Sequence, residues 1–581
     1  MQCLNKSFLI LLVFNLKVTC YQSPHSVGHI LCVVKYIKWT LIVRSVRICA
    51  VHSVGKRDGR MMQRFLLLFF GVPPITWGLR LHSYFTPGMM LQRDVSTKVW
   101  GYDLVGDVQA DLICTVEGKV VKHNLPTINS SSTAGVWEAE LPAQVAATVC
   151  DLQASSETED IVLNDIMFGD IWLCSGQSNM EQGMWAIINE TEEIAASASF
   201  TTIRYTVVQN AISDIEDPDA DVPLEQPWAD PTDDELWGMS AVCFLYARSL
   251  QQMWRAAGQE PVPLGLVDSD WGGTRVEAWS SPQVLEGCNV QPECPESSPE
   301  NCDSVLYNAM IHPLARLAVK GFLWYQGESN GKWNRDLYNC TFPAMIDSWR
   351  TLFSTNSNTA PDAPFGFVQL ASWRPDTLDA GFPVIRWHLT ADYGYVPNDR
   401  LKNVFMASPL DTYDDMEGYP GGIHPRYKQI VGERLAVSGM YVAYGKNQET
   451  EPYRPYGPMP SQVDVDPVRQ IITVTYDEGI VYDNTEISGF YVCQDDLDSC
   501  DSTDSLESWV EVARDAVTLV DSKTLSISLE LPSNLFSLAY AWRETPVKRY
   551  LGLPVYGEEQ SFSLPSPPWK KACARQPLIC L

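Results

Sequence analysis

A short run of residues, Gly176-Gln177-Ser178-Asn179-Met180, has the composition and the position that a serine nucleophile needs. It comes directly after an apolar stretch at residues 171–174, which predicts a strand. A strand that ends in a tight glycine turn and opens a helix lifts the serine hydroxyl above the edge of a sheet, beside backbone N–H groups. Ser178 is therefore our candidate nucleophile. The alternative is a helix N-cap, a position that serine also favours.

A serine nucleophile needs a base that removes its proton. Beyond residue 80 the chain contains His82, His123, His312, His388 and His424. His424 stands in a Gly-Gly-Ile-His-Pro turn after the last predicted strand, and Pro425 suits the first position of the helix that follows. This turn can reach the sheet edge that carries Ser178, so we predict that His424 is the base.

The oxyanion that forms during acyl transfer needs hydrogen-bond donors that are already in place. The Ser178 N–H is one candidate, and Gly273, in a Trp-Gly-Gly-Thr run, is a second. The loop after the predicted strand at residues 321–325 offers the side-chain amide of Gln326 or Asn330. For the glycines, a plain tight turn is the alternative.

The charge of the chain is strongly and unevenly negative. Its 581 residues include 42 Lys and Arg and 71 Asp and Glu, which gives a net charge of −29 at pH 7. Residues 1–60 hold nine of the basic residues and a single acidic residue, Asp58, so the rest of the chain is more acidic still. Because phosphate binding needs clusters of Lys and Arg, nucleic acid is a poor partner.

The first 80 residues resemble targeting sequence. We interpret residues 1–60 as an upstream extension and residues 61–80 as a signal peptide, because Arg64 precedes an apolar run. The alternative is that the apolar residues 8–14 form the signal peptide and that the second run is a core strand. Both runs are short for a bilayer, and no later stretch looks transmembrane, so we expect no membrane span after signal removal.

Cysteine usage predicts an oxidising compartment. Twelve of the sixteen cysteines follow residue 60. Some crowd the loop at residues 288–302, Cys493 and Cys500 flank an acidic turn, and Cys573 and Cys580 close the chain. Such spacing is typical of local disulfides in a lysosomal or secreted protein. No set of cysteines and histidines has the spacing of a zinc site.

The chain divides into segments with different patterns. Residues 81–165 and 446–565 show short alternating runs broken by turn residues, which predict N- and C-terminal β-sandwich-like domains. Residues 166–445 alternate apolar strand candidates with helical stretches, which predicts a mostly parallel sheet covered on both faces. Residues 566–581 are expected to form a tail.

The chemical motifs of the central segment each follow a predicted strand. The strand candidates are residues 167–174, 263–267, 321–325, 365–370 and 404–408, and the helical stretches are 184–198, 240–254, 335–353 and 425–440. In parallel sheets of this kind the ligand binds beyond the carboxyl ends of the strands. We therefore expect the motifs to meet at one edge of the sheet.

Five motifs in this order resemble those of the sialate O-acetylesterase family, a member of the SGNH hydrolase superfamily. They are Gly-Gln-Ser-Asn-Met, Trp-Gly-Gly-Thr, Tyr307-Asn-Ala-Met-Ile-His-Pro313, Trp-Tyr-Gln-Gly-Glu-Ser-Asn and Ile-His-Pro-Arg. The resemblance runs from about residue 81 to about residue 568. It implies an α/β fold with a three-layer αβα core and accessory β domains. It also implies removal of O-acetyl groups from sialic acids, chiefly at positions 9 and 4, in lysosomes or secretions and without a cofactor.

Carried over by motif, Ser178 becomes the nucleophile and His424 the base, while Gly273 and Asn330 become oxyanion donors with Gln326 as a rival. Glu328, in the same loop as Asn330, either orients a neighbour or is a buried acid with its own hydrogen bonds.

The chain departs from the superfamily at the third catalytic residue. The superfamily usually has an aspartate three residues before the histidine, where this chain has Gly421. Asp411 and Asp414, which follow the last predicted strand, are candidates for the missing acid. Alternatively a backbone carbonyl orients His424 and the enzyme works as a dyad. Geometry must decide between these arrangements.

We predict a serine esterase whose substrate is an O-acetylated sialic acid or sialoglycan. One alternative is an acetylesterase for another acetylated glycan, because the motifs report deacetylation and not the sugar. A second alternative is a non-catalytic glycan-binding protein that keeps the fold.

Overall fold

The computed structural model describes residues 78–580 apart from short segments, at 104–106, 117–118, 130–134, 158, 233, 417, 447–451, 494–499, 501–503, 531–535, 559–561 and 576–577, and before residue 78 it describes the backbone of six short strands. The chain has two compact units, Met1–Thr76 and Trp77–Leu581. In the first unit the backbone forms short antiparallel pairs: Val18–Gln22 with Ile30–Val34, Cys49–Val51 with Leu66–Leu68, and Lys56–Arg57 with Arg60–Met61. Most of the predicted extension and signal segment lies outside the described residues.

The second unit begins with β structure, in keeping with the alternating pattern of residues 81–165. One sheet contains Arg80–Leu81, Thr97–Tyr102, Thr127–Asn129 and Val136–Leu141. Another contains Gln109–Val116, Lys119–Leu125 and Val149–Ser155, and the Cys114–Cys150 disulfide joins two of these strands. The short strand Met90–Gln92 pairs in parallel with the strand that leads into the central segment.

One long strand, β1 (Asp160–Gly176), connects this β region to the central sheet. Its first half pairs antiparallel with Val149–Ser155, and its second half pairs in parallel with two strands of the central segment. The remaining central strands are β2 (Ile203–Val208), β3 (Leu224–Ala229), β4 (Leu264–Asp270), β5 (Gly321–Tyr325), β6 (Phe365–Val368) and β7 (Val404–Ala407).

The central strands lie in the order β7-β6-β5-β1-β4-β2-β3. The pairings from β7 to β2 are parallel, and the edge strand β3 is antiparallel to β2. The predicted strands of the central segment are therefore present, whereas β2 and β3 are additions. Because the parallel strands share one direction, their carboxyl ends lie along the same edge of the sheet.

Helices pack on both faces of this sheet. They are the short helix α1 (Ser178–Glu181), then Glu190–Ser197, α2 (Ala241–Ala256), Pro282–Gly287, α3 (Tyr338–Asn356), Gly381–His388 and α4 (Lys428–Val442). Alternate residues of the strands point to opposite faces, as strand geometry requires. Trp172 of β1 belongs to the core cluster that contains residues of α2 and α4, and its ring contacts Tyr246 of α2. Its neighbour Leu173 belongs to a different cluster, which contains residues of α3. A disulfide between Cys174 and Cys243 joins β1 to α2.

The C-terminal segment is again β-rich. One sheet contains Pro460–Asp466, Ile471–Tyr476, Thr524–Ser528 and Val517–Asp521, a small one pairs Ile480–Tyr482 with Val555–Gly557, and another contains Trp509–Glu511, Phe490–Cys493, Phe536–Tyr540, Trp569–Arg575 and Leu578–Cys580.

Residues 566–581, expected as a tail, instead supply two strands of this last sheet, because the buried Trp569 packs into its core. The predicted Cys493–Cys500 disulfide is present, and further disulfides join Cys288 to Cys340 and Cys294 to Cys302. Among the helices that the structure describes, none has both the length and the apolar character needed to cross a membrane.

Candidate active site

The turn after β1 holds Ser178 at the carboxyl edge of the sheet. Gly176 adopts a φ of +145°, and a Cβ atom there would lie 2.2 Å from the Tyr325 carbonyl oxygen of β5, so only glycine fits. The same oxygen accepts a hydrogen bond from the Gln177 N–H at 3.0 Å. Gln177 is the cap residue and Ser178 is the first residue of α1, so the Ser178 hydroxyl does not cap the helix.

His424 lies directly beside Ser178, although 246 residues separate them in sequence. Its Nε2 atom is 2.8 Å from the Ser178 Oγ atom, a hydrogen-bond distance. The histidine loop is closed by two backbone hydrogen bonds between Gly421 and His424, at 2.9 and 3.0 Å. Burial, together with the positive charge of Lys428, lowers the pKa of His424 to about 4. The imidazole is therefore neutral, and able to accept a proton, even in acidic solution.

The two candidate acids are engaged elsewhere. The Asp411 carboxylate accepts hydrogen bonds from both terminal nitrogens of Arg434, at 2.6 and 2.7 Å, and from the Tyr556 hydroxyl at 2.6 Å. The Asp414 carboxylate accepts hydrogen bonds from the side chain of Arg426, at 2.7 and 3.0 Å. Within the described residues, neither carboxylate is hydrogen-bonded to His424.

The backbone explains why no acid stands three residues before the histidine. Gly421 has a φ of +128°, and a Cβ atom there would lie 2.7 Å from the Met416 carbonyl oxygen. Any side chain at this position would collide with the backbone of its own loop. An aspartate at residue 421 therefore requires a different loop conformation.

A buried polar network joins the serine turn to the histidine loop. The Asn179 side-chain amide donates hydrogen bonds to the Glu328 carboxylate at 2.5 Å and to the Ile423 carbonyl oxygen at 3.0 Å. The Lys428 ammonium donates to the Asn179 side-chain oxygen at 2.6 Å. Asn179, the residue after Ser178, is thus hydrogen-bonded directly to Ile423, the residue before His424.

The network gives a role to Glu328, which the sequence left open, and to Lys428, which the sequence analysis did not identify. Glu328 is buried, and it accepts a hydrogen bond while burial raises its pKa. Lys428 is fully buried, and burial lowers its pKa to about 7. The one signal for Lys428 in the sequence is its place four residues after His424, and in the structure it is the first residue of α4.

Two of the predicted oxyanion donors are backbone N–H groups that remain available. Within the described residues, neither the Ser178 N–H nor the Gly273 N–H has a hydrogen-bond acceptor. The loop of Gly273 approaches the serine closely, since a Cβ atom on the neighbouring Gly272 would lie 3.4 Å from the Ser178 Cβ atom. Gly273 has a φ of +75°, which favours glycine.

The two side-chain amides are already occupied. The Asn330 amide donates to the Glu277 carboxylate at 2.9 Å and to the Trp333 carbonyl oxygen at 3.2 Å. The Gln326 amide donates to the Thr274 carbonyl oxygen at 3.1 Å and to the Asn330 side-chain oxygen at 2.7 Å. Both residues are buried and brace the loop that carries Gly273, so a hydrogen bond to an oxyanion would replace an existing one.

Carboxylates that the sequence interpretation did not single out lie next to the serine. The exposed Glu181 of α1 lies against Gly272, since a Cβ atom on Gly272 would lie 2.4 Å from its carboxylate. Asp268 and Asp270, at the end of β4, are buried, and burial raises the pKa of both. These three acidic groups therefore share raised pKa values, which favour their neutral form.

Two family models match the chain. The model described as carbohydrate esterase, sialic acid-specific acetylesterase, matches residues 168–386, and the sialate O-acetylesterase C-terminal domain matches residues 461–573. The first match includes Ser178 and Asn330, whereas His424 lies between the two.

Similar proteins are also found over most of the chain. The sialate O-acetylesterase of Homo sapiens is 35% identical over 528 residues, which cover 87% of this chain and 96% of the human protein. That of Rattus norvegicus is 34% identical and covers 85% of this chain and 94% of the rat protein. Among solved structures, a carbohydrate acetylesterase from Xanthomonas citri has a similar fold, with a TM-score of 0.65 at 23% identity, covering 85% of this chain and 99% of that one.

Proposed function

Because the chain belongs to the sialate O-acetylesterase family, we propose that it is a serine esterase that removes O-acetyl groups from sialic acids. Ser178 is the nucleophile and His424 is the general base. The observation that carries this assignment is the 2.8 Å distance between Ser178 Oγ and His424 Nε2. We further propose that the central sheet and its helices are a three-layer αβα core of the SGNH type.

The first half of the reaction acylates the enzyme. Ser178 Oγ attacks the acetyl carbonyl carbon while His424 Nε2 accepts the hydroxyl proton. The tetrahedral oxyanion that results accepts hydrogen bonds from the N–H groups of Ser178 and Gly273. When the intermediate collapses, the protonated imidazole gives its proton to the sugar oxygen, and the deacetylated sugar leaves.

The second half regenerates the enzyme. His424 Nε2 removes a proton from a water molecule, which attacks the acetyl-serine carbonyl carbon. The second tetrahedral intermediate uses the same two N–H donors. Its collapse returns the proton from His424 to Ser178 Oγ and releases acetate. The atoms balance with water as the single co-substrate.

The catalytic residues work as a dyad in this proposal. Asp411 and Asp414 each bind an arginine, and Asn179 fixes the histidine loop through the Ile423 carbonyl. A carboxylate on the imidazole normally orients it and stabilises its charged form. Here the loop backbone and the Asn179 network orient the ring instead.

Asn330 and Gln326 are second choices as oxyanion donors, because their amide hydrogens are already bound. Their role in this proposal is to brace the Gly273 loop, so that its N–H group is in place before the substrate binds. The preferred acetyl positions are 9 and 4. The disulfides suit an oxidising compartment, and we propose the lysosome or secretions as the site of action.

The test is acetate release from 9-O-acetylated sialyllactose by the wild type and by Ser178→Ala, His424→Ala and Asp414→Asn variants. We expect no turnover for the first two and retained turnover for Asp414→Asn, with circular dichroism showing that each variant is folded. Turnover by a folded Ser178→Ala variant would refute the assignment of the nucleophile. Acetylated xylan serves as the comparison substrate, and faster release from xylan would refute the assignment of the sugar.

A further inference from the structure

Three aromatic side chains extend from the catalytic histidine to the surface. The Tyr419 ring lies edge-on to His424, with 4.8 Å between ring centroids. Trp185 lies 5.6 Å from Tyr419, and Trp237 stacks on Trp185 at 5.4 Å with an angle of 26° between the rings. We call Tyr419, Trp185 and Trp237 the aromatic platform.

The platform is exposed in a way that core aromatic residues are not. Trp237 is 56% exposed and Tyr419 is 52% exposed. Since one face of Trp237 is covered by Trp185, exposure of this size means that its other face is open to solvent. Contiguous exposed apolar patches are typical of interaction sites and of ligand-binding sites.

The chain holds the platform rigidly from below. The Met184 N–H donates a hydrogen bond to the Met239 carbonyl oxygen at 3.0 Å, which ties the segment of Trp185 to the segment of Trp237. Met184, Leu236 and Met239 are all completely buried beneath it. Trp185 and Trp237 are therefore presented by fixed turns, and ordering their rings on binding costs little conformational entropy.

The platform also has a hydrogen-bond acceptor beside it. Burial raises the pKa of the Tyr419 hydroxyl, and the negative charge of Glu181, whose exposed carboxylate lies beside Gly272, raises it further. An aromatic face with an adjacent carboxylate matches the two sides of a sugar ring. The C–H groups of the ring stack on the negative face of the aromatic system, and its hydroxyl groups donate to the carboxylate.

We propose that the aromatic platform is a subsite that binds a pyranose ring of the acetylated glycan while its acetyl group reaches Ser178. This subsite rests on the proposed function, because it continues directly from His424.

The experiment compares two substrates that share the acetyl ester and differ in the sugar. Trp237→Ala should raise KM for 9-O-acetylated sialyllactose about 5- to 10-fold, with kcat little changed, because one stacking face is lost. Hydrolysis of p-nitrophenyl acetate, which has no sugar, should be unchanged. Trp237→Phe, which keeps a stacking face, should recover most of the affinity, and Tyr393→Ala removes an exposed aromatic ring outside the platform as a matched control.

The results that would contradict the subsite differ from those that would contradict the proposed esterase function. An unchanged KM for the trisaccharide, or equal losses on both substrates, would overturn the subsite while leaving Ser178 as nucleophile. A change of oligomeric state in Trp237→Ala, seen by size-exclusion chromatography, would assign the platform to a protein contact and overturn it as well. Binding of the trisaccharide to the Ser178→Ala variant, followed by tryptophan fluorescence, tests the subsite without turnover, and no fluorescence change would count against it.

Discussion

Asn179 follows Ser178 directly, and nothing in the sequence indicated its structural role. It accepts a hydrogen bond from Lys428 and donates to Glu328 and to the backbone of the histidine loop. An asparagine next to a nucleophile is otherwise easily taken for a surface residue of the helix. Its burial and its three partners make it a positioning residue for His424.

Replacing Asn179 tests this positioning role. Asn179→Ala should lower kcat about 10- to 100-fold with a much smaller change in KM, because a misplaced base costs rate more than binding. Asn308→Ala, at a buried asparagine that bonds to the Ser213 carbonyl, is the matched control and should leave kcat near the wild-type value. Equal kcat values for the two variants would contradict the role.

Burial of His424 and the positive charge of Lys428 together determine the acid limit that we expect for the reaction. With the pKa of His424 lowered to about 4, kcat/KM should hold through mildly acidic pH and fall as pH approaches 4, where the base becomes protonated. The positive charge of Lys428 disfavours a protonated imidazole, so Lys428→Met should raise the pKa of His424. The acid limb of the pH profile should then move upward by about one unit.

The pH profile of an exposed lysine variant, Lys332→Met, gives the comparison. Its acid limb should coincide with that of the wild type. If the acid limb of the pH profile of a folded Lys428→Met variant coincided with that of the wild type, there would be no electrostatic coupling between Lys428 and His424.

At the residue scale, the sequence brought Ser178 and His424 forward as partners, because each follows a strand that ends at the same edge. It could not rank the oxyanion donors. From spacing alone, the side-chain amide of Asn330 and the backbone N–H of Gly273 are equally good candidates. The structure shows that the Asn330 amide already donates hydrogen bonds, whereas the Gly273 N–H donates none within the described residues. For the same reason the sequence offered Asp411 as an acid, whereas its carboxylate faces Arg434.

At the scale of the elements, the end of β1 determines the position of Ser178, the proposed nucleophile. Gly176→Ala should lower both the melting temperature and kcat, the latter by about 100-fold, because the new methyl group meets the Tyr325 carbonyl and displaces the turn. Gly287→Ala, where a Cβ atom meets nothing within 4 Å, is the control and should be close to wild type. Full activity in Gly176→Ala, measured as acetate release, would mean that the turn is not strained.

Most strands and helices of the central segment were predicted from the sequence, and there are physical reasons why the others were missed. The long helices and most of the parallel strands have strong apolar patterns, so they were predicted, whereas the parallel strand Ile203–Val208 was missed. The edge strand Leu224–Ala229 was missed because it is half exposed and contains Pro227, which does not suit a ladder of hydrogen bonds. The helix Gly381–His388 was missed because it is short and begins with Gly and Pro. Strand order across the sheet depends on contacts that no local pattern encodes.

At the scale of the whole molecule, one arginine connects the central sheet to the C-terminal β region. Arg386 is completely buried and donates to four carbonyl oxygens: those of Leu370 and Ala371 at 2.8 Å, and those of Arg543 and Glu544 at 2.7 Å. The two regions therefore share a polar core at their contact.

Arg386→Met should lower the free energy of unfolding by about 3 kcal/mol or more, because it leaves several buried carbonyl groups without donors. Arg400→Met removes an exposed ion pair with Asp347 and should change stability by at most about 1 kcal/mol. Chemical denaturation followed by tryptophan fluorescence measures both. Similar losses for the two variants would show that the contact contributes little.

The long strand Asp160–Gly176 has a practical consequence for anyone who seeks a minimal catalytic fragment. Its first half belongs to the N-terminal ladder and its second half leads to the nucleophile, without a linker at which the chain could be cut. A fragment that begins near residue 170 would lack the first half of this strand. An unpaired strand edge would then be exposed close in sequence to Ser178. We expect such fragments to aggregate, so enzyme engineering of this chain should begin from the two regions together.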